Sequence, residues 1–280
     1  MLDSTEILQK GITETYRSVG RIVAKEQGKV IDSGTVIFSS YKNINILLTA
    51  NHVLDGLKSY EHIFLQIPYS TDHLTYSAPI EIRIPSSSFT NTDCRTASRL
   101  DIGVIKPPEK IEEIKHIQWF NIENNAFAFA EYFRGIVKNS KEEDYIPAIM
   151  MGFPNFGKNE KPSIRTQISG MIPLVTYISH ITEPPEFSTS QPSQISFEID
   201  IPNLMEDEKN PFILNAFDLL KTSENPRILG GYSGGPLIYA CAQGVFLIGI
   251  IKQGGTALGG IGFATPVDVV RDYLKNTLKM

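Results

Sequence analysis

The chain has 280 residues with 41% hydrophobic and 20% charged content, enough apolar material for one large core or two closely packed smaller ones. Its formal net charge of -5, with no long Lys/Arg run, excludes the clustered positive surface that a nucleic-acid grip needs, so no nucleic-acid partner is expected. No segment reaches the roughly 18 unbroken apolar residues of a membrane span, and the start of the chain lacks the basic and apolar pattern of a signal peptide, so no membrane partner is expected either.

In chain order, residues 1-18 read as a helical extension, with Asp3 and Glu6 as a capping box and Ile7, Leu8 and Ile12 on one face. From Val19 the texture changes to short runs rich in β-branched and aromatic residues: GRIVAK, KVIDSGTVIF, INILLTANHV, HIFLQIPY, IEIRIP and DIGVIK. These predict an antiparallel, strand-rich unit over 19-108. Residues 109-143, rich in Glu, Lys and Asn with helical texture in EKIEEIKHI and AFAFAEYFRGI, read as a polar, partly helical insertion. A second strand-rich unit spans 144-280, with strands in YIPAIMMGFP, IRTQISGMIPLVTYI, QISFEIDI, GPLIYA, GVFLIGIIK and GIGFATPV. It carries a further insertion at 202-228 and closes with a helix at 267-278, where apolar residues recur at helical spacing.

Cys94 and Cys241 are the only two cysteines, too few for the disulfide framework of secreted domains, so a reducing, cytoplasmic setting is expected while a single disulfide stays open. No HExxH sequence or closely spaced Cys/His cluster suggests a metal, and no cofactor is expected.

The segment Gly230-Gly231-Tyr232-Ser233-Gly234-Gly235-Pro236 leads directly into the apolar run LIYA. Glycines on both sides of one serine mean that the backbone takes conformations or approach distances a side chain forbids, as an accessible nucleophile requires. A Gly-rich hairpin with an incidental serine is the alternative. A serine hydroxyl needs a base within hydrogen-bond reach, and the chain offers five histidines. His52 stands apart, because the run INILLTA delivers it to a strand edge, whereas His62, His73, His116 and His180 sit in polar surroundings. The acid that would orient it is Asp101, which immediately precedes the apolar strand IGVI; Asp55 competes but lies in the turn-like VLDG.

TANHV, DIGVI and GYSGGP, in that order, resemble the three signature segments of the trypsin/chymotrypsin superfamily, nearest to its bacterial HtrA-like and glutamyl-endopeptidase-like branches. SGTVIF, AIMMGFP, LIGIIKQGG and GFATPV resemble its supporting strands, and the likeness covers roughly residues 19 to 275 apart from the two insertions. It implies an all-β fold of two packed six-stranded antiparallel barrels with a C-terminal helix and helical insertions. It also implies a serine endopeptidase working through an acyl-enzyme, with Ser233 as nucleophile, His52 as base and Asp101 orienting the imidazole. The amides of Gly231 and Ser233 would form the oxyanion hole. Lys252, Gln253 and Gly254 would pair with a polypeptide substrate as an added strand, and Gly254 and Gly262 would line the pocket walls.

Two departures from the family pattern matter. Tyr232 stands where digestive members carry an acid that pairs with a processed N-terminus, so activation by such insertion is not expected. Arg227, six residues before Ser233, aligns with the pocket base and would disfavour basic residues at the cleavage site; if that loop does not align residue for residue, Arg227 is a surface arginine. Three other functions compete or combine with this reading. A catalytically silent binding module would share the fold. An α/β-hydrolase esterase is disfavoured because its order is Ser, acid, His, with the serine before a helix. A protease controlled by a regulatory protein partner would use the two insertions to gate the site.

Overall fold

The computed structural model describes residues 4–68, 79–90, 95–140, 146–153, 171–182, 193–198, 231–253 and 261–277. Strands dominate, in two units that share a continuous apolar core. Among the described residues no helix is long and apolar enough to cross a membrane.

The first unit is an eight-stranded sheet. Its members are β1 (Val19–Glu26), β2 (Lys29–Tyr41), β3 (Ile44–Thr49), β4 (Ile63–Ile67), β5 (Ile80–Arg83), β6 (Phe89–Thr90), β7 (Gly103–Ile105) and β8 (Phe120–Asn121). The order is β5-β4-β1-β2-β3-β7-β6, with β8 running parallel beside β2. The two short strands β6 and β8 add to the six expected from sequence; two residues are too few to show a periodic pattern.

The period of two along β2 sends alternate side chains to two cores, so every residue from Ser33 to Ser39 is buried. Val36 and Phe38 face a core inside the first unit together with Ile22, Leu47, Leu54 and Leu65. Ile37 and Tyr41, on the other face, join a larger core shared with the second unit.

The second unit is a closed barrel, β10-β11-β14-β13-β12-β9, built from β9 (Ile146–Gly152), β10 (Ile172–Thr182), β11 (Gln194–Glu198), β12 (Pro236–Cys241), β13 (Gly244–Gln253) and β14 (Ile261–Pro266). Helix α1 (Ser4–Tyr16), although first in the chain, packs on this barrel. A Cβ at Gly11 would lie 2.8 Å from both Ala240 Cβ and Ile149 Cδ1, so glycine there sets how closely the helix sits.

The segment expected as a polar insertion is part of the core. Helix α4 (Ile122–Ala128) continues through a π-helical turn (Phe129–Phe133) into α5 (Arg134–Asn139), burying Ile122, Ala126, Phe129 and Phe133. The buried Asn125 accepts a hydrogen bond from the Leu247 amide at 2.7 Å and donates to the Asn121 carbonyl at 2.7 Å, which welds α4 to strand β13. Arg134 donates to Asp268 at 2.7 Å and so ties α5 to the C-terminal helix α6 (Val267–Thr277). An apolar cleft of about 390 Å³ lies between the π-helical turn with its flanking α4 and α5 and the β12–β13 hairpin, lined by Phe129, Tyr132, Phe133, Tyr239 and Phe246. Two further short helices, α2 (Asn51–Leu57) and α3 (Arg95–Leu100), lie at the candidate site. The second expected insertion, 202-228, and Cys94 lie outside the described residues; Cys241 is a free thiol.

Candidate active site

His52 does not end a strand, as expected from sequence, but occupies the first turn of α2. The preceding Ala50 has no side-chain acceptor for the free amides that begin a helix, so an acceptor has to come from elsewhere in the chain. Asp101 supplies it. One carboxylate oxygen accepts from the His52 amide at 3.0 Å, and the other lies 2.8 Å from His52 Nδ1. This two-point contact fixes both the backbone and the ring, and it places the ring proton on Nδ1, leaving Nε2 as an acceptor.

Asp101 reaches this position because its backbone is left-handed, with φ of 55° in the turn between α3 and β7. Short polar side chains tolerate that region better than most. The turn is held from both sides: the Ile102 amide donates to the Ala97 carbonyl at 3.1 Å, and buried Thr265 of β14 donates to the Leu100 carbonyl at 2.7 Å. Asp55 instead lies on α2 and accepts from Asn51 Nδ2 at 2.9 Å. Among the other histidines, His62 and His180 are exposed, His116 bonds the Pro68 carbonyl, and His73 lies outside the described residues.

The His52 side chain is half exposed, and its pKa is raised above the usual imidazole value. Burial acts to lower it, but the Asp101 hydrogen bond, with the charges of Asp101, Asp55 and Asp32, outweighs that effect. The imidazolium is therefore the favoured form over a wider pH range than in a free histidine.

Ser233 enters from the second barrel. Gly231 and Tyr232 form a 3₁₀ turn, followed by Gly234 with φ of 85°. A Cβ on Gly234 would lie 2.0 Å from Thr49 Oγ1 and 2.3 Å from the Thr35 carbonyl, and one on Gly235 would lie 2.1 Å from the Met151 carbonyl. These approaches to backbone explain the paired glycines. The loop is pinned by main-chain bonds from Thr35 N to the Ser233 carbonyl at 3.0 Å, from Gly234 N to the Ile251 carbonyl at 2.8 Å, and from Gly235 N to the Tyr232 carbonyl at 2.8 Å. Tyr232 is buried, and burial pushes its phenol pKa well up, so it packs as a neutral side chain.

The Ser233 hydroxyl is 6% exposed as a residue and donates to the Lys252 carbonyl at 3.3 Å. The structure thus joins His52 to Asp101 by hydrogen bonds and gives Ser233 a different partner, at the end of β13. The Lys252 ammonium is half-buried; burial lowers its pKa, and the Asp101 charge offsets this in part. Gln253 pairs with Phe263 of β14. Gly262 is covered by Phe197, whose ring would lie 2.3 Å from an added Cβ, so this glycine is filled by packing. Arg227 and Gly254 lie outside the described residues.

Three threonines that sequence reading passed over hold this site. Besides Thr265, Thr49 donates to the Thr35 carbonyl at 2.6 Å, and Thr35 donates its hydroxyl to the Gly231 carbonyl at 2.6 Å. The available signal was a polar residue inside an apolar strand run, because a buried hydroxyl requires partners. Among the described residues no group of three or more His, Cys, Asp or Glu side chains is arranged to hold a metal ion.

No protein-family model matches the sequence, and no curated protein matches it. Solved structures do match its fold. The HtrA-type protease AlgW, determined with a tripeptide, is similar at a TM-score of 0.53 and 16% identity, over 97% of this chain and 63% of that one. An inactive form of Rv3671c from M. tuberculosis H37Rv, with a serine replaced by alanine, is similar at 0.52 and 13% identity, over 100% of this chain and 96% of that one. A serine endoprotease from Yersinia pestis is similar at 0.50 and 13% identity, over 97% and 66%. This chain therefore spans less than two thirds of the AlgW chain. A closed six-stranded barrel beside a second sheet, in a chain with these structural neighbours, is the fold of the HtrA-type trypsin-like serine proteases.

Proposed function

We propose that the protein is a serine endopeptidase in which Ser233 attacks the scissile carbonyl, His52 takes its proton and returns it to the leaving amine, and Asp101 stabilises the imidazolium. The observation that carries this reading is the two-point contact of Asp101 with His52, at 3.0 and 2.8 Å, in a ring whose other nitrogen is left to accept a proton. For reaction the Ser233 hydroxyl exchanges the Lys252 carbonyl for Nε2 of His52, a tightening of the kind that substrate induces in resting sites. The amides of Gly231 and Ser233 are the oxyanion donors in this reading. The carbonyl and amide edge at Lys252 and Gln253 receives a polypeptide as an added strand. Control by a protein partner and a cytoplasmic setting are parts of the same proposal, resting on composition and on the resemblance.

A fluorophosphonate probe tests this directly: covalent labelling is expected in the native chain and lost in Ser233→Ala. A second reading, a silent binding module, draws on the bond from Ser233 to Lys252 in place of His52. Absence of Ser233-dependent labelling, with candidate partner proteins also supplied, would favour that module.

A further inference from the structure

The geometry points to Thr35 as a positioning residue for the nucleophile loop, its hydroxyl fixing the Gly231 carbonyl and with it one side of the glycine whose amide would serve the oxyanion. The inference rests on the peptidase reading for its consequence, though not for its geometry.

Thr35 lies in β2 of the first sheet and is fully buried, yet three of its groups are committed to the active site. Its amide donates to the Ser233 carbonyl at 3.0 Å, and its carbonyl accepts from Thr49 at 2.6 Å. Its hydroxyl lies 2.6 Å from the Gly231 carbonyl and 3.3 Å from the Phe153 amide. The amide of Phe153 can only donate, so the hydroxyl accepts there and has to send its own proton to Gly231. The hydrogen-bond direction is thus determined by the partners, with no freedom left in the rotor.

The restraint matters because of what it acts on. Glycine turns more freely about its backbone bonds than any other residue, and Gly231 is the one that would present an oxyanion donor. The next two carbonyls of the loop are held by main-chain amides, Tyr232 by Gly235 and Ser233 by Thr35. The Gly231 carbonyl is held instead by a side chain, reaching across from the unit that carries His52 and Asp101. The hydroxyl therefore adds a second tie to that of the Thr35 amide between the first unit and the nucleophile loop.

The cleanest comparison is Thr35→Ser with Thr35→Ala, which differ only in the hydroxyl; Thr35→Val adds a near-isosteric case that keeps the threonine methyl beside Gly235. An oxyanion donor acts in the transition state, so we expect kcat for a peptide substrate to fall about 10- to 100-fold in the alanine and valine variants, with KM changed less than about threefold. The serine variant should stay within about threefold of the native chain. Equal losses in serine and alanine variants, or native rates in alanine, would overturn the role. Crystal structures of the native chain and the alanine variant provide a readout that does not depend on activity. A turned Gly231 carbonyl is expected in the variant, and an unchanged one would overturn the restraint. If the native chain shows no Ser233-dependent labelling, the peptidase reading fails while this comparison still decides whether Thr35 fixes the loop.

Discussion

Asp101→Asn is the substitution that probes the site most directly, because the carboxylate makes two different contacts with one residue. One oxygen accepts from the His52 amide at 3.0 Å and the other faces Nδ1 at 2.8 Å. An asparagine offers one oxygen and one NH₂. If the oxygen stays on the backbone amide at the start of α2, the NH₂ faces Nδ1, which then has to accept. The ring proton moves to Nε2, and the base toward Ser233 is lost. The fold is little disturbed, while the rate of acylation is expected to fall about 10³- to 10⁴-fold.

The pH dependence separates this from a general loss of structure. His52 has to be neutral to act as a base, so the native rate should rise with pH through a midpoint above the ordinary imidazole value of 6.5. Removing the Asp101 charge lowers that midpoint. For stability the sign is opposite: a raised folded-state pKa contributes stability present below the unfolded value and lost as pH rises through the folded value. Second-order labelling rates by a fluorophosphonate, measured from about pH 5 to 9 in both proteins, check the argument. Labelling of Asp101→Asn at the native rate, or an acid limb that does not move, would refute the assigned roles of Asp101 and His52.

Three further substitutions test the scaffold. Gly234→Ala places a Cβ 2.0 Å from Thr49 Oγ1 and 2.3 Å from the Thr35 carbonyl, at φ of 85°, so urea unfolding should show a loss above about 3 kcal/mol; less than about 1 would refute the tight approach. Asn125→Leu leaves the buried Leu247 amide without its acceptor, and thermal unfolding should report a loss of about 1 to 3 kcal/mol, whereas a native midpoint would show that α4 is not welded to β13. Among the described residues Arg21 makes one hydrogen bond, to Ser33 at 3.0 Å, and its Nε is buried without a partner; burial lowers its pKa to about 10. Arg21→Met should therefore equal or exceed native stability in urea, by up to about 1 kcal/mol, and a marked loss would reveal a partner for the guanidinium.

Much of this was legible from local pattern. The runs from Val19 to Ile105 and from Ile146 to Pro266 announced strands because alternate residues face different surroundings, and Val267, Val270, Tyr273 and Leu274 announced a helix by their spacing. Residues 109-143 read as polar because Glu, Lys and Asn dominate their composition, whereas the packing of their helical part is decided by Ile122, Ala126, Phe129 and Phe133. His52 was placed on a strand edge because INILLTA runs into it without a break; the Asp101 carboxylate that accepts from the His52 amide in the first turn of a helix there arrives from 49 positions away.

The sequence by itself determined the residue types of the site and the strand-rich class, since glycine, serine, histidine and aspartate each announce a local requirement. The tertiary structure decided the contacts between distant segments: the two bonds from Asp101 to His52, the bond from Ser233 to Lys252, and the reach of Thr35 across 196 positions to Gly231. Such pairings follow from which strands lie side by side and at what register. That is settled by burying apolar faces over the whole chain, and no local window records it.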